Sequence, residues 1–295
     1  MIATTGFFDG VHLGHRLVIE RLVSEAHARG DESLVVTFWP HPRAVLQDGA
    51  RELRLLNTLD EKKELLRSLG VDRVEVLDFT RSFAALTAEQ YLRDVLRDRF
   101  GVTTLLMGYD NRLGSDRLTA ASLKPLADGM GVELMELSPL SFRPSEARGE
   151  ISSTQIRSAL DRGDIASAEA MLGYAYSLTG AVVAGNRLGR TIGFPTANMK
   201  LYEPLKLVPG RGVYAVDVEV LGRKFRGMTN IGTRPTVGGL TTSIETHILD
   251  FDEDIYGLPL RVTFLHRLRD EVRFPSLEEL KAQLEKDREA CRQHF

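Results

Sequence analysis

Two hydrophobic periods divide the chain. In the first half, short apolar runs alternate with segments whose apolar residues recur every three or four positions. Ile2–Thr5, Ser33–Phe38, Val71–Phe79, Thr103–Gly108 and Val132–Leu137 read as strands. Thr103–Gly108 is continuously apolar, as a parallel strand covered on both faces requires. Between them, His15–Arg29 carries the helical stripe Leu17, Val18, Leu22 and Val23. Thr58-Leu-Asp-Glu61 and Thr87-Ala-Glu-Gln90 are capping boxes opening helices that reach about Leu69 and Arg99. Thr119–Asp128 predicts another helix, and Ser153–Arg162 and Ile165–Leu172 predict two short ones around Gly163. Repeated β-α-β units give a Rossmann-like α/β domain with a parallel sheet, whose ligands gather beyond the C-terminal ends of its strands. Gly6–His15, Pro40–Pro42 and Gly108–Gly114 all follow strands and are expected on that edge.

After Gly173 the period shortens to two. Ser177–Ala184, Val213–Leu221, Phe225–Ile231, Thr242–Phe251 and Leu260–Leu268 predict strands separated by glycine and proline turns, the pattern of a small antiparallel barrel. A last helix opens at Ser276-Leu-Glu-Glu279 and runs toward Gln293. The expected domains are residues 1–173 and 174–295, with a short junction near Leu172–Tyr176.

Composition narrows the function classes. Against 38 basic residues stand 41 acidic ones, a formal net charge of −3, which gives no reason to expect bulk nucleic-acid or membrane-surface binding. No apolar run approaches the ~18 residues of a membrane span. Cys291 is the only cysteine, so no internal disulfide can form. The chain begins on strand-like residues with no basic-then-apolar leader, and a cytoplasmic location is the expectation. Nothing in the pattern fixes an oligomeric state.

The strongest chemical signal is Gly6-Phe-Phe-Asp-Gly-Val-His12-Leu-Gly14-His15, a glycine-rich turn between strand and helix. Such a turn aims free N–H groups and the positive end of a helix dipole at one spot, which suits phosphate. His12 and His15, three apart, can share one helical face over a phosphate, and Gly14 leaves room for a nucleotide. Without a ligand, the same string is a helix start with two surface histidines. Ile151-Ser-Ser153-Thr154-Gln-Ile-Arg157 adds hydroxyls at a helix start and a guanidinium one turn on, able to grip a polyphosphate; the plain alternative is an ordinary cap with a solvated arginine. His41, between Pro40 and Pro42, is either a rigidly held site residue or part of a simple turn.

In the second half, Thr196 and Asn198 of Gly193-Phe-Pro-Thr-Ala-Asn face the same way in extended chain. Their hydroxyl and amide can hold hydrated Mg²⁺ and the nucleotide phosphates it bridges. Glu245 shares a strand face with Ser243 and His247 and is a candidate general base for a substrate hydroxyl, or else an exposed strand glutamate. Gly185-Asn-Arg-Leu-Gly-Arg-Thr191 falls one residue short of a P-loop, has Arg190 where the lysine belongs, and no helical pattern follows.

Together these strings, in order and spacing, resemble the bacterial bifunctional riboflavin kinase/FAD synthetase family over nearly the whole chain. The N-terminal half is similar to its FMN adenylyltransferase module through Phe8–His15, Thr37-Phe-Trp-Pro-His41-Pro42 and Ile151–Arg157. The C-terminal half is similar to its riboflavin kinase module through Gly193–Asn198, Gly212-Val-Tyr214, Asn230-Ile-Gly-Thr-Arg-Pro-Thr236 and Ile244–His247. The resemblance implies two ATP-dependent reactions with Mg²⁺: riboflavin to FMN, then FMN to FAD. It assigns Glu245 as kinase base, Thr196 and Asn198 to Mg-ATP, and His12, His15, Gly14, Ser153, Thr154 and Arg157 to adenylyl transfer, with His41 near the nucleotide or flavin. The family's Gly-x-Asp-Phe-x-Phe-Gly stands here as Gly108-Tyr-Asp110-Asn111-Arg-Leu113-Gly114, keeping Asp110 for the nucleotide but replacing two aromatics. Two other readings compete: a nucleotidyltransferase for a different acceptor, and a flavin-binding sensor without catalysis.

Overall fold

The computed structural model describes residues 1–46, 53–108, 111–137, 151–185, 188–236 and 239–293. Asp110 lies outside them. The chain divides into two compact units, Met1–Ser153 and Thr154–Phe295. The division falls inside the first turn of a helix, ahead of the junction expected near 173.

In the first unit, β1 (Ile2–Thr5), β2 (Ser33–Trp39), β3 (Arg73–Asp78), β4 (Thr104–Met107) and β5 (Glu133–Glu136) form a parallel sheet in the order β3-β2-β1-β4-β5. Successive strand residues go to opposite faces, so the inner strands β1, β2 and β4 are buried over most of their length, whereas the edge strands β3 and β5 end in exposed charged residues. Ala3, Leu34, Val36 and Leu105 pack under Leu92, Leu96, Leu123 and Ala127, whereas Ile2, Val35 and Leu106 meet Ile19, Leu22, Ala26 and Leu66. The second group comes from α1 (Leu13–Ala28) and α3 (Leu59–Ser68). The first comes from a π-helix, Tyr91–Arg97, and α6 (Ala120–Gly129). Both threonine capping boxes form: Thr58 with Glu61 ahead of α3, and Thr87 with Gln90 ahead of α5 (Ala88–Gln90). The segment expected as regular helix up to Arg99 becomes π-helical at Tyr91. Two shorter helices, α2 (Pro42–Leu46) and α4 (Arg81–Ala84), follow β2 and β3. Strand order reverses between β1 and β4, the crevice where open α/β sheets take their ligands.

The second unit begins with α7 (Ser153–Asp161) and α8 (Ile165–Leu172). Both belong here by close packing. A Cβ on Gly163 would lie 2.5 Å from the Tyr214 hydroxyl, and one on Gly210 would lie 2.4 Å from the Asp161 carbonyl oxygen. Then β6 (Ser177–Val183), β7 (Ala197–Leu201), β8 (Gly212–Val220), β9 (Arg223–Thr236), β10 (Gly239–Ile248) and β11 (Pro259–Arg269) close an antiparallel barrel, ordered β10-β7-β6-β11-β8-β9. The alternating pattern gave five of these strands; β7 is the sixth. A one-turn helix, α9 (Leu188–Thr191), stands where no helix was expected. The last helix, α10 (Leu277–Gln293), starts where the Ser276 hydroxyl accepts the Glu279 N–H at 3.2 Å, and it buries Cys291.

Candidate functional site

The first site grows from the turn between β1 and α1. Phe8 and Val11 take positive φ values of 53° and 37°, and Gly10 one of 88°, so the chain folds back tightly before the helix. His12 rather than a hydroxyl residue caps α1: its Nδ1 accepts the His15 N–H at 3.4 Å. In the neutral ring this leaves the His12 proton on Nε2. The two imidazoles stack, centroids 3.7 Å apart and planes 19° apart, with Phe8 edge-on to His15. A Cβ on Gly14 would press on the His12 ring at 3.2 Å, so this glycine protects the stack as well as leaving room for a ligand. Two stacked rings so close resist double protonation. Burial, the neighbouring His12 and the charge of Lys62 hold His15 well below the ordinary histidine range. His15 Nδ1 is shielded from solvent and has no hydrogen-bond partner among the described residues. A neutral hydrogen-bonding group is therefore its natural state.

Beneath this turn, the buried Asp9 carboxylate accepts the backbone N–H groups of Leu56 and Asn57 at 3.0 and 3.4 Å. Ser153 Oγ donates to the Asp9 carbonyl at 2.9 Å, so this hydroxyl buttresses the turn. Thr154 and Arg157 lie on α7, in the second unit. His41 Nδ1 accepts the Arg43 N–H at 3.0 Å and its ring meets Phe7 edge-on at 4.2 Å, which ties the proline turn to the β1 loop. Beside Gly6 and Phe7 opens a cavity of about 500 Å³, walled by Phe38, Phe79, Phe83 and Tyr91 and closed by Asn111–Ser115 after β4. Sequence reasoning passed over this aromatic wall, because its four rings come from three separate segments.

The barrel builds its site by register. Asn198 of β7 stands opposite Glu245 of β10, Glu245 opposite Asn230 of β9, Asn230 opposite Val213 of β8, and Val213 opposite Arg269 of β11. Residues directly opposite share a face, so one row across five strands carries Asn198, Glu245, Asn230 and Arg269. The last three line a cavity of about 520 Å³ with Thr196, His247 and the apolar face of α10, Leu277, Leu280 and Leu284. The neighbouring residues Thr246 and Ile248 open on a second cavity of about 330 Å³, edged by Arg190 and the acidic stretch Asp252–Asp254. Thr196 lines both. Asn198 is held by crowding, since a Cβ on Gly185 would fall 2.3 Å from its Nδ2. His247 Nδ1 bonds the Pro195 carbonyl at 2.8 Å, and burial lowers its pKa.

Comparison with known proteins matches these two modules. A family model for FAD synthetase matches residues 1–155, and one for riboflavin kinase matches residues 172–295. The bifunctional riboflavin kinase/FMN adenylyltransferase of Escherichia coli is 41% identical over 295 residues, covering 100% of this chain and 92% of that protein. The chain belongs to the bifunctional riboflavin kinase/FMN adenylyltransferase family. The member from Bacillus subtilis is 34% identical over 301 residues, again with 100% and 92% coverage. A crystal structure described as a macrolide-efflux protein from Streptococcus pneumoniae superposes with a TM-score of 0.90 at 34% identity, over 99% of this chain and 93% of that one. Among the described residues here, no helix is long and apolar enough to cross a membrane.

As a family member, the chain has the fold read from its sequence: a Rossmann-like adenylyltransferase sheet and a kinase barrel with a closing helix. Their cavities were not legible as such. The acidic edge of the smaller barrel cavity, the α10 wall of the larger one and the aromatic wall beside Phe7 give no short-range motif.

Proposed function

We propose a division of labour for the two activities of this family member, riboflavin kinase and FAD synthetase. In the barrel, riboflavin occupies the 520 Å³ cavity and ATP the 330 Å³ one, with Thr196 at their common edge. Glu245 accepts the proton of the ribityl 5′-hydroxyl as that oxygen attacks the γ-phosphorus and the bond to the β-phosphate oxygen breaks, giving FMN and ADP. The single observation that carries this is the placement of Glu245 in the larger cavity and Thr246, its strand neighbour, in the smaller. Acceptor and nucleotide thus meet across one edge of β10.

Mg²⁺ fits this edge as an ion delivered by the nucleotide. Thr196 and Asn198 offer neutral oxygen donors, and no group of three His, Cys, Asp or Glu side chains able to hold a metal stands among the described residues. Thr196 and Asn198 would hold it, and the ion would neutralise phosphate charge.

In the first unit, the FMN ring system lies in the aromatic cavity beside Phe7. Its phosphate oxygen attacks the ATP α-phosphorus, the bond to the pyrophosphoryl oxygen breaks, and FAD and pyrophosphate result. His12, through Nε2–H, and His15 hydrogen-bond the charge that grows on the α-phosphoryl oxygens, at the N-terminus of α1. Ser153 holds the turn and Asp110 serves the nucleotide. The cytoplasm, which supplies ATP and keeps thiols such as Cys291 reduced, is the compartment that suits both reactions.

The test is chromatographic. With riboflavin and Mg-ATP, Glu245→Gln should form no FMN, yet still convert supplied FMN to FAD. His15→Ala should make FMN normally and slow FAD synthesis about 10²–10³-fold, the usual loss for one charge-stabilising donor. Equal loss of both activities in either folded variant refutes separate sites. A sensor would consume no ATP at all.

A further inference from the structure

Among the described residues, Lys62 is the one lysine whose side chain is wholly buried beside the first site, and no step above uses it. It sits on α3, four residues before the buried Leu66, at a position where the helix would ordinarily place an apolar residue. Its Nζ donates to Thr37 Oγ1 at 3.5 Å, and that hydroxyl donates on to the Phe7 carbonyl at 3.2 Å. The same ammonium stands over the Phe7 ring, 3.5 Å from its centroid. Phe7 also touches His41 and borders the aromatic cavity. One buried cation therefore reaches the β1–α1 turn through both its backbone and its first aromatic ring.

Burying an ammonium is costly unless something compensates it. Asp9 gives partial compensation, yet burial still pulls Lys62 down to about 8. The charge of Lys62 is in turn one of the causes that keep His15 unprotonated. The titratable groups facing it are thus Asp9 in the turn and His15 in the first turn of α1. Such a residue weakens the fold locally, and a polyanion bound at the helix start supplies the missing negative charge.

We propose that Lys62 is a positioning residue for adenylyl transfer: its buried ammonium holds the Phe7–Asp9 turn from below and sets a fixed positive charge behind His12 and His15. The occupant it favours is the triphosphate of ATP. This inference rests on the assignment of adenylyl transfer to the His12–His15 turn.

The test compares Lys62→Met and Lys62→Arg in the full chain. Lys62→Met keeps the side-chain volume and removes the charge. It should lower kcat/KM for FAD synthesis about 10–100-fold, as loss of a buried supporting group behind a binding residue does. It should melt at or above the parent temperature, because a buried charge that Asp9 compensates only in part is gone. The His15 imidazole, followed by NMR titration, should move up toward the ordinary range. Lys62→Arg should retain more FAD synthesis than Lys62→Met and leave the His15 titration near its parent position. Riboflavin phosphorylation serves as the internal control. A merely structural lysine predicts a lower melting temperature, with equal losses in both variants and an unmoved His15, and that result overturns the proposal; so does full FAD synthesis by Lys62→Met. If His15→Ala itself makes FAD at the parent rate, the site assignment fails, whereas loss in His15→Ala with none in Lys62→Met sinks this inference alone.

Discussion

Replacing Asp287 by alanine asks whether one ion pair keeps α10 closed over the larger barrel cavity. Arg269 Nε donates to both Asp287 carboxylate oxygens at 2.9 and 3.0 Å, and Nη2 donates to Oδ2 at 2.7 Å. Gln283, one turn earlier on α10, donates to Oδ1 at 2.8 Å. The side chains are 20% and 4% exposed for Arg269 and Asp287. Asp287→Ala therefore strands a shielded guanidinium and an amide donor together. Breaking a buried pair from one side costs about 3–5 kcal/mol. Arg269 keeps some solvent and a bond to the Asp270 carbonyl at 2.9 Å, so the lower end, about 3 kcal/mol, applies.

That energy falls first on the helix, whose other described anchors on the barrel include Leu284 and Cys291. A loss of about 3 kcal/mol raises the opening equilibrium of α10 roughly 150-fold. Leu277, Leu280 and Leu284 wall the cavity proposed for riboflavin, so on that proposal opening also removes substrate contacts. Hydrogen exchange should therefore speed up by about that factor across Leu277–Gln293, with a rise in the riboflavin KM and little change in FAD synthesis from supplied FMN. Urea unfolding should show the same loss, and Arg269→Met with Asp287→Leu should recover most of the stability, since a packed apolar pair is often as good as a buried ionic one. A cost below about 1 kcal/mol with unchanged exchange would mean that α10 is held by its apolar face alone.

Two further outcomes follow from crowding and burial. Gly185→Ala drives a Cβ to within 2.3 Å of the Asn198 amide; it should raise the KM for ATP in the kinase reaction and spare adenylyl transfer, and normal kinase kinetics would remove Asn198 from the nucleotide site. His15 and His247 both have pKa values lowered by burial, so the unfolded chain takes up protons near 6.5 before the native chain does. Stability should then fall as pH drops from 7 to 5.5, with a slope approaching about 1.4 kcal/mol per pH unit for each histidine. Melting curves across that window check this, His247→Gln should flatten the barrel's share, and a level profile would contradict neutral burial of both rings.

Local chemistry made the helices legible. A threonine followed three residues later by Glu61 or Gln90 satisfies two orphan N–H groups within one turn, so both boxes form as read. The start of α1 was misplaced by two residues because histidine is not a usual N-cap, and only the Nδ1 bond to His15 marks it. Strand β7, Ala-Asn-Met-Lys-Leu, alternates apolar and polar residues but is only five residues long and has no β-branched or aromatic side chain; its extended form comes from pairing with β6 on one side and β10 on the other. Likewise α7 and α8 read as the end of the first domain, yet Gly163 and Gly210 pack them with the barrel unit at distances no sequence pattern records.

The site divides along the same line. His12, Gly14, His15, Thr196, Asn198 and Glu245 lie in short strings and can be found one string at a time. Their arrangement cannot, because it is a product of register. Five residues, at positions 198, 245, 230, 213 and 269, share a face only when five strands pair in one alignment. A one-residue slip of β10 would turn Glu245 away from the larger barrel cavity and set Thr246 in its place. Lys62 is hidden for the converse reason. Its helix position predicts an apolar contact, and only the packed fold shows a charge held where an apolar side chain would cost less. Where a chain accepts that cost beside a phosphate-binding turn, function is the physical reason to test first.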